Sequence, residues 1–92
     1  MSGQYDMQVE ADLEFDGTAP GDVTVVAPAR LRLSGTVLGS LYVEAGAKAE
    51  VTGRVLGAVI NRGFVLLRGV VGALRNEGGV SVIDESAELE LP

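Results

Sequence analysis

At 92 residues the chain is long enough for one small domain, and its 47% apolar composition excludes an intrinsically disordered protein. It contains no Cys and no His, which excludes disulfides, thiolate or imidazole metal sites and the usual catalytic triads. Its net charge of −6 argues against a nucleic-acid-binding protein.

The charges are unevenly distributed along the sequence. Residues 1–29 carry six acidic and no basic side chains, residues 30–75 carry all seven basic and two acidic side chains, and residues 76–92 carry five acidic ones. The seven basic residues are spread out rather than clustered, which again disfavours nucleic acid as a partner.

The sequence lacks the features of a targeted or membrane-inserted protein. Residues 1–6 have neither the basic start nor the apolar run of a secretory signal or membrane anchor. Arg62 and Arg68 interrupt the apolar segment 55–74, which argues against a membrane span. We therefore expect a cytoplasmic protein without membrane insertion.

The first apolar pattern is a two-residue alternation near the N-terminus. Met7, Val9 and Ala11 alternate with polar residues and lead into Leu13 and Phe15. A period of two is typical of a half-buried strand. We interpret residues 1–12 as an N-terminal strand or cap.

From residue 13 the sequence repeats itself every eighteen residues. Gly-Thr-Val-Leu-Gly-Ser-Leu at 35–41 returns as Gly-Arg-Val-Leu-Gly-Ala-Val at 53–59, and a related phrase precedes them at 17–23. After a loss of three residues, Arg-Gly-Val-Val-Gly-Ala-Leu at 68–74 fits the same frame. The repeats cover residues 13–30, 31–48, 49–63 and 64–78, and the C-terminal segment 79–92 forms a partial rung or cap.

Each repeat supplies three short alternating segments separated by Gly or other small residues. A coil of parallel strands, in which every repeat forms one rung, explains a constant period with three corners. We therefore predict an all-β fold, a single-stranded, three-sided parallel β-helix of about five rungs.

Alternation within the repeats predicts which side chains face the interior. The inward sets are Leu13 and Phe15 with Leu31, Leu33, Ala49, Val51, Phe64 and Leu66; Ala19 with Val37, Val55 and Val70; and Val23 with Leu41, Val59 and Leu74. Outward columns, meaning the same position in successive repeats, carry opposite charges, such as Glu14, Arg32 and Glu50. One inward column continues from Val25 and Val43 into Asn61 and Asn76, where we expect a ladder of hydrogen-bonded amides.

An outward apolar strip is the most informative departure from a plain solenoid surface. Pro20, Leu38, Leu56 and Val71 share one outward column in the predicted register, and Tyr42 and Ile60 share another. A contiguous exposed apolar strip typically marks a contact surface, and Arg54 lies beside it. The alternatives are that the strand around Met7 and Val9 folds over the strip, or that it is a tolerated sheet surface. The predicted protein-interface residues are Leu38, Tyr42, Arg54, Leu56, Ile60 and Val71.

The repeated frame resembles a known family. Leu-x-Phe-x-Gly-Thr-x-x-Gly-Asp-Val from Leu13 and Leu-x-Leu-x-Gly-Thr-Val-x-Gly-Ser-Leu from Leu31 are similar to the bactofilins, bacterial cytoskeletal proteins, over residues 13–78. The resemblance implies a right-handed β-helix that polymerises without nucleotide, rung against rung at its ends. The polar residues 1–6 differ from the apolar N-terminal membrane tail of many bactofilins, and both ends are acidic, which disfavours stacking.

Two functions of different classes are compatible with these patterns. The first is a non-enzymatic, bactofilin-like scaffold that self-associates through its β-helix edges or the apolar strip. The second is an acidic protein-binding inhibitor, such as an immunity protein or antitoxin, that blocks the active site of a basic toxin. Neither requires a catalytic residue, a metal or a cofactor. The expected partner is therefore another copy of the chain or a basic protein.

Overall fold

The computed structural model describes residues 7–84 and 88–89, which form a parallel β-solenoid of about four turns. These residues contain strands and turns and no helix. The overall extents of 34 × 25 × 22 Å make it a short block rather than a long rod. The thirteen strands are β1 (Met7–Val9), β2 (Leu13–Phe15), β3 (Thr18–Ala19), β4 (Val23–Val25), β5 (Arg30–Leu33), β6 (Thr36–Val37), β7 (Leu41–Val43), β8 (Lys48–Val51), β9 (Arg54–Asn61), β10 (Phe64–Leu67), β11 (Val70–Asn76), β12 (Val80–Ile83) and β13 (Glu88–Leu89).

The strands stack in three parallel ladders, one for each side of the coil. Ladder 1 runs β2-β5-β8-β10-β12, ladder 2 runs β3-β6-β9-β11-β13, and ladder 3 runs β1-β4-β7-β9-β11. Strands β9 and β11 are long enough to turn the second corner, so each belongs to two ladders. The prediction of an all-β parallel solenoid is confirmed.

The core is a column of aliphatic side chains along the axis of the coil. Leu13, Leu31 and Ala49 are in register, as are Val23, Leu41 and Val59, with the offset of eighteen residues that the sequence predicted. Leu31, Leu41 and Val59 are at most 1% exposed. Burying a Val or Leu side chain stabilises a fold by about 1.5–3 kcal/mol, so the shared interior is the main source of stability.

The predicted inward residues of the fourth repeat are wrong for β10. Val65 and Leu67 pair with Ala49 and Val51 and are fully buried, whereas Phe64 faces outward and is 36% exposed. Leu66 lies on the same outward side as Phe64 and is half-buried. Because side chains alternate along a strand, a one-residue shift of register turns every side chain to the opposite face.

The same shift affects the next strand. Val71 pairs with Val55 and is fully buried, while Val70 pairs with Arg54 and is half-buried on the outer side. Val71 is therefore a core residue and not a member of the apolar strip. The prediction placed Val70 inside because it assigned all three missing residues to the corner that precedes Phe64.

The three residues are in fact lost at two places. The corner between β9 and β10 consists of Arg62 and Gly63 alone, whereas the corresponding corner one turn earlier spans residues 44–47. The third residue is lost at a register shift between Val71 and Ala73, so the fourth turn has no counterpart of Leu56.

Asn61 closes the shortened corner from within. Its side chain is fully buried, and its Oδ1 accepts a hydrogen bond from the backbone N–H of Gly63 at 2.9 Å. Its Nδ2 donates to Asn76 Oδ1 at 3.3 Å and, at 2.8 Å each, to the Val80 carbonyl and Ser81 Oγ. The predicted amide ladder is confirmed. The Asn61 amide also accepts a hydrogen bond within the short corner, whereas in the corner one turn earlier the Ala47 N–H donates to the Glu44 carbonyl.

Candidate interaction surfaces

The most exposed large apolar side chains fall into three groups. One group is the apolar strip at the corner between ladders 2 and 3, one is a patch on the outer face of ladder 1, and one consists of inward-facing residues at the two ends of the coil. The strip contains Leu38, Tyr42 and Leu56, the patch contains Phe64, Val80 and Val82, and the two ends expose Leu13 and Ile83.

The apolar strip is present from the first to the third turn. Leu38 and Leu56 follow the buried Val37 and Val55 and are 45% and 47% exposed. Tyr42 pairs with Ile60 on ladder 3, so the two side chains are direct neighbours on one face.

Arg54 is exposed on ladder 2, two residues before Leu56 and on the same outer side. Five of the six predicted interface residues therefore share this region, and Val71 does not.

Strand β1 does not cover the strip. It pairs with β4 in register, with Val9 opposite Val25, and so adds one strand to ladder 3. Val9 is 3% exposed and continues the interior column of Val25 and Val43. The strand predicted for the N-terminal region therefore extends the solenoid at its first turn.

A second apolar surface lies on ladder 1, where the predicted register had placed its residues inside. Phe64 is opposite Val80, and Leu66 is opposite Val82, on the outer face of β10 and β12. Val80 is 58% exposed and Val82 is 45% exposed. We call these four residues the apolar patch.

Below the apolar patch the same two outer columns are charged. The column of Phe64 begins with Asp12, Arg30 and Lys48, and the column of Leu66 begins with Glu14, Arg32 and Glu50. The outer face of ladder 1 therefore changes from charged to apolar between β8 and β10. A groove of about 230 Å³ marks this boundary.

A chain of ion pairs runs along the side of this face. Arg32 lies 3.2 Å from Glu14 and 3.5 Å from Glu50, and Arg68 lies 3.7 Å from Glu50 and 3.9 Å from Asp84. Each pair is partly exposed and contributes at most about 1 kcal/mol. The arrangement satisfies these charges locally, and Arg68 and Asp84 border the apolar patch at the ends of β10 and β12.

The first turn forms an acidic end of the solenoid. Glu10, Asp12, Glu14 and Asp16 are all exposed, and the first basic residue, Arg30, belongs to the second turn. The Arg30 backbone N–H donates a hydrogen bond to Asp12 Oδ1 at 3.2 Å, which confirms that Asp12 and Arg30 share a column.

The structure offers no preformed metal site among its described residues, since no three acidic side chains there lie close enough to hold an ion. Within the same residues no helix has the length and apolar character needed to cross a bilayer. Comparison of the chain with models of known families, with curated proteins and with solved structures finds no match.

Proposed function

We propose that the protein is a non-enzymatic structural scaffold that self-associates, and that the ends of the β-solenoid make the principal contact. The proposal extends to this chain the behaviour implied by its resemblance to the bactofilins, and it places the protein in the cytoplasm. The observation that supports it is that the two ends of the coil match, so that the three ladders of one copy could continue into those of the next.

The two ends match because each of the three ladders contains the same number of described strands, five. The first described strand, β1, begins ladder 3, and the last, β13, ends ladder 2. In a second copy stacked on the C-terminal end, β1 would lie on β11, β2 on β12 and β3 on β13. The coil would then continue without a missing or surplus strand, and every edge strand at the junction would gain a partner.

The interior columns also continue across such a junction. Ile83 lies above Leu67 at an inward position of the last turn, yet it is 51% exposed. At the other end Leu13 occupies the inward position below Leu31 and is 38% exposed. Stacking would cover both side chains with the interior of a neighbouring copy, which is favourable in proportion to the apolar area removed from water.

Charge opposes this contact at low salt. Asp16 follows β2, and Asp84 follows β12 at the equivalent corner, so stacking would bring two carboxylates together. Glu14, in the edge strand β2, would likewise approach the C-terminal turn. The Debye length, over which charges act on one another, falls from about 10 Å at 0.1 M salt to about 3 Å at 1 M, so added salt should promote assembly.

Sedimentation velocity and negative-stain microscopy of the purified protein, with salt raised from 0.05 to about 1 M, test the proposal. We expect assemblies that lengthen with salt and that are lost in an Ile83→Glu variant. Leu38→Glu is the matched control, because it adds the same charge on the outer face of the second turn and away from the junction. Discrete particles that ignore both salt and Ile83→Glu would refute end-to-end assembly.

The acidic first turn supports a second proposal, an inhibitor that binds a basic protein through this end. Four exposed carboxylates, of which Glu14 is paired with Arg32, would steer such a partner and accelerate its association. Salt separates the two functions, because it weakens binding between opposite charges and strengthens stacking of like-charged ends. Binding to a basic protein that is lost between 0.05 and 0.5 M salt, from a chain that stays monomeric throughout, would favour the inhibitor.

A further inference from the structure

We infer that the apolar patch binds a second copy of this chain side by side and antiparallel, in a reversible contact separate from the end-to-end junction. The inference deepens the proposed self-association by naming a lateral surface, and it rests on Phe64, Leu66, Val80 and Val82. Phe64 and Val80 form one cross-strand pair of this surface, and Leu66 and Val82 form the other.

The symmetry of a homodimer restricts how this face can meet itself. In a two-fold contact the same surface is used by both copies, and the axis lies in the plane of the contact. The strands of the two copies stay aligned when this axis runs along the stack of turns or along the strands. An axis along the stack would place each turn opposite the same turn of the second copy. The two outer columns would then exchange, so Arg30 would face Arg32 of the second copy and Asp12 would face Glu14. These contacts are repulsive along two of the five rungs, while Lys48 would face Glu50 along one.

An axis along the strands avoids this repulsion when it passes between β10 and β12. Phe64 then faces Val80 of the second copy, and Leu66 faces Val82 of the second copy. The charged turns of the two copies extend away from one another in opposite directions, so Lys48 and Glu50 face no turn of the partner. This is the arrangement that buries the whole apolar patch without burying a charge, and burying a charge is costly.

The size of the apolar patch makes the contact weak. Two strands about 4.8 Å apart, each contributing two outward side chains, give a footprint of roughly 100–150 Å² per copy. A stable interface needs about 800 Å² per partner. The contact should therefore form only at high protein concentration.

The test uses the full chain carrying Ile83→Glu, which blocks the ends and leaves the outer face of ladder 1 unchanged. Sedimentation velocity at rising concentration should reveal a monomer–dimer equilibrium. Adding Phe64→Glu should weaken the dimer at least about tenfold, because a carboxylate would face an apolar side chain. Leu38→Glu is the matched control, since it adds the same charge to the apolar strip at a similarly exposed position, and it should leave the dimer unchanged.

Val80→Glu provides a second variant in case Phe64→Glu impairs folding, because Val80 is 58% exposed and its side chain lies outside the core. It should weaken the dimer to a similar degree. A chain that stays monomeric at millimolar concentration, or a dimer that persists in both patch variants, would overturn the inference.

The orientation of the dimer is tested by a spin-label distance at Arg30→Cys, an exposed position at the start of β5 in a chain without native cysteine. The antiparallel arrangement places the two labelled turns about five strand spacings apart along the stack, or about 26 Å when the 10 Å between sheets is included. A distance under about 20 Å would indicate the parallel arrangement and refute the proposed one. Failure of end-to-end assembly would be seen separately, as short particles in the unmodified chain at all salt concentrations.

Discussion

The glycine column at the first corner gives the sharpest test of how the turns stack. Gly17, Gly35, Gly53 and Gly69 follow one another there, directly above the corner of the turn before. A Cβ on Gly53 would collide with the backbone oxygen of Gly35 and lie 2.7 Å from the backbone carbon and oxygen of Ser34. Since backbone atoms cannot swing aside, Gly53→Ala must separate the two turns locally.

The cost follows from the hydrogen bonds that hold this corner. The N–H groups of Thr52 and Gly53 donate to the Leu33 carbonyl at 2.8 and 3.0 Å, and the Arg54 N–H donates to the Gly35 carbonyl at 2.9 Å. Losing two of them costs about 2 kcal/mol, and overpacking adds about 1–3 kcal/mol. We expect Gly53→Ala to lower the free energy of unfolding by about 3–5 kcal/mol and Tm by roughly 15–30 °C.

Gly17→Ala is the internal control, because no described turn lies beneath it. A Cβ at this position would meet only the ring of Phe15, at 3.5 Å. We expect a change within about 1 kcal/mol, with a small gain from the less flexible unfolded chain. Urea unfolding followed by circular dichroism compares the two variants, and equal stabilities within 1 kcal/mol would refute the close stacking.

Gly17→Ala also reports on assembly. If copies stack end to end with the same spacing, the added Cβ would meet the backbone of Asp84 in the preceding copy, as a Cβ at Gly53 would meet that of Ser34. The variant should then fold normally and fail to assemble in high salt. Normal assembly of Gly17→Ala would contradict a junction that continues the coil.

Two further predictions concern the core and the apolar strip. Asn61→Val should lower the free energy of unfolding in urea by about 1–2 kcal/mol, because the Gly63 N–H loses its acceptor while Val adds apolar contact beside Val43. A loss under about 0.5 kcal/mol would mean that the amide is dispensable. Leu56→Glu should leave the circular dichroism spectrum and Tm nearly unchanged, whereas Val71→Glu should prevent folding, because the two side chains are 47% and 0% exposed. Unfolding of Leu56→Glu would contradict its outward placement.

The period of eighteen residues was sufficient to predict the fold and the inward and outward residues of the first three turns. In these turns apolar and polar residues alternate, as in Leu31-Arg32-Leu33, so only one register buries the apolar set. The apolar strip and the amide column follow from the same alternation. Both could be predicted because apolar side chains fill the interior of these turns and polar side chains occupy most of the exterior, so a departure from either rule is visible in the sequence.

Alternation fails in the fourth turn, and there the tertiary structure decided the register. Phe64-Val65-Leu66-Leu67 is apolar throughout, so either alternate pair could fill the interior. The glycine column held the missing signal: aligning Gly69 with Gly53 places Val65 and Leu67 inside.

Only the stacked structure shows that two residues are lost at the corner closed by Asn61 and one at the shift after Val71. The loss of two residues keeps the fourth turn in the same alternation as the earlier turns, whereas the predicted loss of three inverts it. For that physical reason the outward position of the apolar patch was decided by the stacked structure.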